Sequence, residues 1–367
     1  MKISSQLSIQ IMQHFSQKIC WSYHQAFVLQ GMYQIALRDK NEPLVSWIES
    51  EFDQLIMEDG EIAGYKKTEY NLDNIYPGNL LLILYHKTQK EKYKKAILTL
   101  YSQLKSQPRN RSGGFWHKKI YPWQMWLNGF YMYGPFYAHY ALEFGTKEDF
   151  ENILQQLYLI ESHFKDKKTS LLYQAWDESR KQLWVENENG CSPTIFARSM
   201  GWYCMALIDL LDIIPDDKDH KNLYFALLNA AQSLIDPILI FQNENDGMWF
   251  QVMDKPGHKG NYTETSASAM FVYFLYKMLR KQYCADSDHK IFEAARNGYK
   301  GICSKLSVDE NGLFHINGVC KKSGLGRNPY RDGSYKYYIE EPVISDDDKG
   351  IGAFLLASLE HEAAAEQ

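Results

Sequence analysis

NILQQLYLIESHF, Asn152 to Phe164, sets the pattern of the chain: Ile153, Leu154, Leu157, Ile160 and Phe164 recur close to the helical period. SYHQAFVLQGMYQIALR repeats it with Tyr23, Phe27, Met32, Ile35 and Ala36, and HKIFEAARNGYKGICSKL with Ile291, Ala294, Ala295, Tyr299 and Ile302. Strand signals are poor, and Pro and Gly/Asn/Asp clusters fall mainly between the periodic segments. The spacing predicts twelve helices, near residues 4–18, 22–38, 43–57, 72–88, 90–106, 123–144, 147–165, 192–214, 218–237, 263–282, 287–305 and 347–364. Long and short connections alternate. The longer ones carry a turn followed by a ring: EDGEIAGY (58–65), RSGGFWH (111–117), LLYQAWDE (171–178), NDGMWFQV (245–252) and NGLFHI (311–316). They recur at roughly 50 to 75 residues, the length of a helical hairpin rather than of a short solenoid repeat. Each hairpin buries its apolar faces only against neighbours. Six of them closed into a ring make an all-α, double-layered toroid with the aromatic loops at one end; an open solenoid is the rival. No Pro/Gly/Ser-rich linker interrupts the chain, so one domain is expected over residues 1–367.

Hydrophobic residues make up 45% of the 367, ordinary for a globular core, but aromatics reach 14%. Such chains often line a concave site with rings, although an aromatic core is an equal reading. A net charge of −5 with no basic run argues against nucleic acid, while leaving room for a small anion held by a few cations. The six cysteines are scattered without metal-ligand spacing, so neither zinc nor a disulfide framework is indicated. Gln and Ser break every apolar stretch near the N-terminus, and no later stretch is read as membrane-spanning. The expected setting is the reducing cytoplasm, with no membrane partner.

Chemistry concentrates in GGFWHKKIYPWQMWLNGFYM. A Gly-Gly turn precedes His117 and Lys118, then come rings, then one amide, Asn128. The turn with its two donors suits an anion, although HKK alone reads as a solvated basic turn. Asp73 stands near a helix start, where caps are common. Arg198 and Trp202, spaced i and i+4, share a helical face. An unpaired Arg at the head of a run as apolar as GWYCMALIDLL would be costly, which favours a site for a ring bearing a carboxylate. Trp176 with Asp177, and Trp249 with Asp254, occupy aromatic loops, and Thr263 to Ser268 reads as a capping region. GLGRNPYRDGSY is glycine-rich but lacks the strand–helix context of a phosphate loop.

These segments, with FARSMGWYCMALIDLL and NPYRDGSYKYYIEEPVISDDDKGIGAFLLA, resemble the unsaturated rhamnogalacturonyl hydrolases of glycoside hydrolase family 105, in unchanged order over nearly the whole chain. The resemblance implies an (α/α)6 barrel, in agreement with the helices counted above. It also implies a substrate: a pectin-derived oligosaccharide ending in a 4,5-unsaturated uronic acid. The implied reaction is hydration of the enol-ether double bond, needing one carboxylic acid that gives a proton and then helps activate water, and no metal or organic cofactor. His117, Lys118, Trp126, Arg198 and Trp202 match family positions, and Asp73 matches a second family acid.

The departures are as informative. The family's QMWLDG reads Gln124 to Gly129 here with Asn128 for the general acid/base Asp, and an amide neither donates an acid proton nor accepts one. Gln174 replaces a family histidine and Phe196 a tryptophan. Asn128 is then either a deliberate single change that traps substrate or the mark of a natural homologue with lost or altered activity; Gln174 and Phe196 favour the second. A silent carbohydrate-binding protein, an unsaturated glucuronyl hydrolase and a sugar epimerase are the other readings. The epimerase ranks last, because His117 alone of 11 histidines falls in a site motif.

Overall fold

The computed structural model describes residues 2–14, 18–185 and 188–365. Among them the chain forms an (α/α)6 barrel. Six inner helices close a ring: α2 (Tyr23–Asp39), α4 (Gly78–Thr88), α6 (Gly129–Phe144), α8 (Ala197–Ile213), α10 (Thr265–Arg280) and α13 (Asp348–Ala364), which returns to pack on α2. Each is backed by an outer helix: α3 (Glu42–Asp53), α5 (Glu91–Ser106), α7 (Lys147–His163), α9 (Lys221–Ile240), α11 (Lys290–Cys303) and, behind α13, α1 (Ile3–His14). The layers differ as burial demands. α8 and α10 are buried on nearly every side, whereas α11 buries only the stripe Ile291, Ala294, Ala295, Gly298, Tyr299, Gly301 and Ile302.

The turn-then-ring loops have a common geometry. After each of five outer helices the chain folds back as a short antiparallel bridge: Ile56 with Ile62, Arg109 with Phe115, Lys165 with Leu172, Gln242 with Trp249, and Leu306–Val308 with Phe314–Ile316. It then enters the next inner helix. Inner helices therefore all run in one direction, with their N-terminal ends on the side of these bridges.

Several expected helices end elsewhere. The segment 123–144 begins not as helix but as strand β1 (Gln124–Trp126), paired antiparallel with β2 (Ala175–Asp177), and α6 starts only at Gly129. The segment 192–214 stays extended through Phe196, which bridges Val252, so α8 starts at Ala197. The segment 72–88 is split by Pro77 into a 3-10 turn (Leu72–Ile75) and α4. Of the first expected helix, residues 15–17 lie outside the described residues. A short extra helix, α12 (Tyr335–Glu340), was not expected. The helix expected over 218–237 is α9, and although no stretch was read as membrane-spanning, it is long and apolar enough by length and composition to cross a bilayer. In the barrel it lays Leu223, Leu227, Ala231, Leu234 and Ile238 against its neighbours.

Candidate active site

A cavity of about 370 Å³ opens at the bridge end of the barrel. Every residue singled out as a site candidate from the family motifs lines it: Asp73, His117, Lys118, Trp126, Asn128, Gln174, Arg198 and Trp202, with Phe196 beside them. The β1–β2 ladder explains part of this convergence. Trp126 pairs with Ala175, and the Leu127 N–H donates to the Gln174 carbonyl at 2.9 Å, so the ends of two distant motifs are held side by side. Asn128 is the residue on which α6 begins, and its carbonyl accepts the first helical hydrogen bonds, from Tyr131 and Met132. Its side chain has no hydrogen-bond partner among the described residues, leaving the amide free to meet a ligand.

His117, Trp126 and Tyr121 form one wall of rings. Trp126 lies between the other two, 4.9 Å from His117 and 4.7 Å from Tyr121, with interplanar angles of 10° and 24°. Trp202 supplies another face, stacked at 5.3 Å on Tyr131. A flat sugar ring fits such surfaces because apolar C–H faces pack on rings while hydroxyls stay free to hydrogen-bond.

Among the described residues Asp73 is the only carboxylate lining the cavity. It is not a helix cap; the Asn71 side chain takes that role by accepting from the Asp73 N–H. Lys118 Nζ lies 2.5 Å from Asp73 Oδ2, and His117 Nε2 lies 3.4 Å from Oδ1. Burial pushes the carboxyl upward, but Lys118 and His117 outweigh it and hold Asp73 below the usual carboxylate range. Asp73 Oδ1 and His117 Nδ1 are buried without a hydrogen-bond partner among the described residues, and Nδ1 lies against Gly129 at the start of α6. Burial drives the His117 imidazole down to about 4, with Lys118 adding to the effect against the pull of Asp73.

Arg198 is not unpaired. Its guanidinium donates to the Cys320 carbonyl at 2.5 Å and lies 3.5 Å from the buried Glu264 carboxylate, so it both borders the cavity and ties α8 to α10. Glu264 also caps α10 through the Ala267 N–H, in the capping region expected over 263–268. Trp176, Asp177, Trp249 and Asp254 do not line the cavity. Asp177 is a turn hub that accepts from Ser179, Lys181 and Gln182, and the Trp249 indole donates to Ile238 inside the core.

Sequence reading missed Tyr23, His24, Lys349 and the Lys321–Gly324 segment with Arg331, all of which line the cavity. His117 is therefore not the sole histidine of the site. Burial, then Lys349, pushes His24 down to about 4. A shared signal unites most of the site. His24, Arg198 and Lys349 are each the second residue of an inner helix, and Asn128 immediately precedes another. With every inner helix pointing the same way, their first turns meet at one end, and their dipoles add positive potential there.

The family model of Glycosyl Hydrolase Family 88 matches residues 2–365. The chain belongs to this family. A glycoside hydrolase of family 105 from C. acetobutylicum superposes on this family 88 chain with a TM-score of 0.93 at 39% identity, covering 99% of this chain and 100% of that one. Protein Atu3128 of Agrobacterium fabrum is 37% identical over 230 residues, 62% of this chain and 96% of that protein. The unsaturated glucuronyl hydrolase of Bacillus sp. GL1 shares the fold at 13% identity, with a TM-score of 0.66 over 98% of this chain and 95% of that one. The resemblance to family 105 thus extends across the whole chain, and the family 88 membership makes an unsaturated glycuronyl hydrolase its class.

Proposed function

We propose that the pocket takes the unsaturated uronic acid at the non-reducing end of rhamnogalacturonan oligosaccharides, and that Asn128 impairs their hydrolysis. In the reaction a general acid protonates C4 of the enol ether, water adds at C5, and the hemiketal opens to release the next sugar. One water is consumed and the acid's proton is restored from it.

The observation that carries this reading is the set of charged side chains that line the cavity. Among the described residues, cationic side chains from Lys118, Arg198, Lys321, Lys322, Arg331 and Lys349 line the cavity with a single carboxylate, Asp73, which suits an anionic sugar. Among the described residues the same cavity has no second carboxyl to give the C4 proton. Asp73 is held ionised, chiefly by Lys118. His24 and His117, each pushed down to about 4 by burial, are neutral. Burial holds the Tyr23 phenol far above its ordinary value. An Asp at position 128 would complete the set as acid, with Asp73 available as a base to orient water; Asn128 keeps its shape without its proton.

Isothermal titration with an unsaturated uronyl–rhamnose disaccharide tests the substrate class. Saturable binding that weakens when the double bond is reduced supports it; equal affinity for the reduced disaccharide contradicts it. A second reading, recognition without turnover, is favoured by Asn128 itself. It would be preferred if Asn128→Asp also binds without reacting.

A further inference from the structure

We propose that the cavity mouth holds a second subsite, built by the segment from Lys321 to Arg331, for another carboxylate further along the same oligosaccharide. The inference rests on the substrate class proposed above and adds a requirement on the sugars beyond the first.

The cations of the cavity fall into two sets. Lys118, Arg198 and Lys349 are each paired, with Asp73 at 2.5 Å, Glu264 at 3.5 Å and Asp347 at 2.7 Å. Among the described residues Lys321, Lys322 and Arg331 have no carboxylate partner, although all three line the same cavity. Unpaired cations gathered at a mouth repel one another unless an anion joins them.

The segment is anchored rather than draped. Leu325 is fully buried against Tyr121, Trp126 and Trp184, which fastens it to the aromatic wall. Gly326 and Arg331 exchange backbone hydrogen bonds at 2.8 and 3.2 Å, and the Arg331 Nε–H donates to the Gly326 carbonyl at 3.2 Å. A Cβ on Gly324 would lie 2.6 Å from Arg331 Nη1, so the guanidinium sits directly on glycine backbone. Arg327 adds a fourth cation 6.0 Å from the centroid of Tyr121, the ring stacked on Trp126. Paired Arg198 and Lys349 are buried, unpaired Lys321 and Lys322 are exposed, and Lys118 and Arg331 lie between, so the ligand carries negative charge at two places. The inner one is the unsaturated uronate. The outer one belongs to a later uronate of the chain, which planar Arg and mobile Lys suit.

The test uses the chain as it stands, since Asn128 is expected to hold substrate without consuming it. Three ligands are titrated calorimetrically: the unsaturated uronyl–rhamnose disaccharide, a tetrasaccharide with a second galacturonate, and that tetrasaccharide methyl-esterified at the internal carboxyl. The free-acid tetrasaccharide should bind about tenfold tighter than the ester, with a gap that shrinks as salt is raised. Lys322→Ala and Arg331→Ala should each weaken the tetrasaccharide by a larger factor than the disaccharide. Equal affinity for acid and ester, or losses equal for both lengths, would overturn the second subsite and leave the substrate class standing. Failure of all three ligands to bind would remove the substrate class, and this inference with it.

Discussion

The Tyr338 hydroxyl donates to the Gln174 side-chain carbonyl, and the same Tyr338 ring stacks on Phe196 at 4.9 Å and 14°. Gln174 and Phe196 are the two positions, besides Asn128, where the chain departs from the quoted family motifs. Tyr338, fully buried in α12, touches both. The two departures therefore form one altered wall. Gln174→His and Phe196→Trp should be non-additive: a double-mutant cycle on disaccharide affinity is expected to give a coupling of about 0.5–2 kcal/mol. Additivity would show that Tyr338 does not transmit between them.

Asp73 and Lys118 should behave as a pair. Lys118→Met strands a carboxylate whose side chain is only 11% exposed, and is expected to destabilise the fold by about 2 kcal/mol in urea unfolding. Adding Asp73→Asn should recover most of that loss, because no buried charge remains. A double variant as unstable as Lys118→Met alone would mean that Asp73 is not held as an anion.

His117 gives a pH dependence with a definite sign. Its folded pKa of about 4 lies below the ordinary 6.5, so the unfolded chain binds the proton more readily. Its stabilising contribution, on the order of 3 kcal/mol, is complete above about pH 6.5 and is lost as pH falls toward 4. His24, pushed down to about 4 in the same way, steepens the loss. Unfolding free energies measured across pH 4 to 7 should fall less steeply with acid in His117→Gln than in the parent.

Gly129 marks how closely α6 approaches His117. A Cβ there would lie 3.1 Å from His117 Nδ1 and press the imidazole against its stack on Trp126. Gly129→Ala should weaken disaccharide binding about tenfold with a change in Tm of only a few degrees, since Ala favours the helix. Unchanged affinity would show that the position of His117 does not matter to the ligand.

The barrel was legible because helical periodicity survives in both layers, and the turn before each ring fixed where the bridges fall. Strand β1 was not legible. YPWQMW carries apolar residues at spacings that suit a helix, and only its pairing with Ala175–Asp177, some fifty residues away, makes it extended. In the site, Asn128, Asp73 and Arg198 could be picked out because each is a polar group set among rings or apolar helix. His24 and Lys349 could not, since they meet only when α13 closes the ring onto α2. Arg198 was placed at the site, but its protein partner, Glu264, could not be read, since it lies 66 positions away and carries no local sign of burial.

The most direct measurement is loss of the double bond's ultraviolet absorbance from unsaturated rhamnogalacturonan disaccharide, for the chain as it stands and for Asn128→Asp. The account predicts turnover by the Asp form and a rate lower by at least about a hundredfold for the Asn form, the usual scale of a general acid's contribution. Ordinary turnover by the chain bearing Asn128 would contradict it, since the proton would then come from a group other than the side chain at position 128.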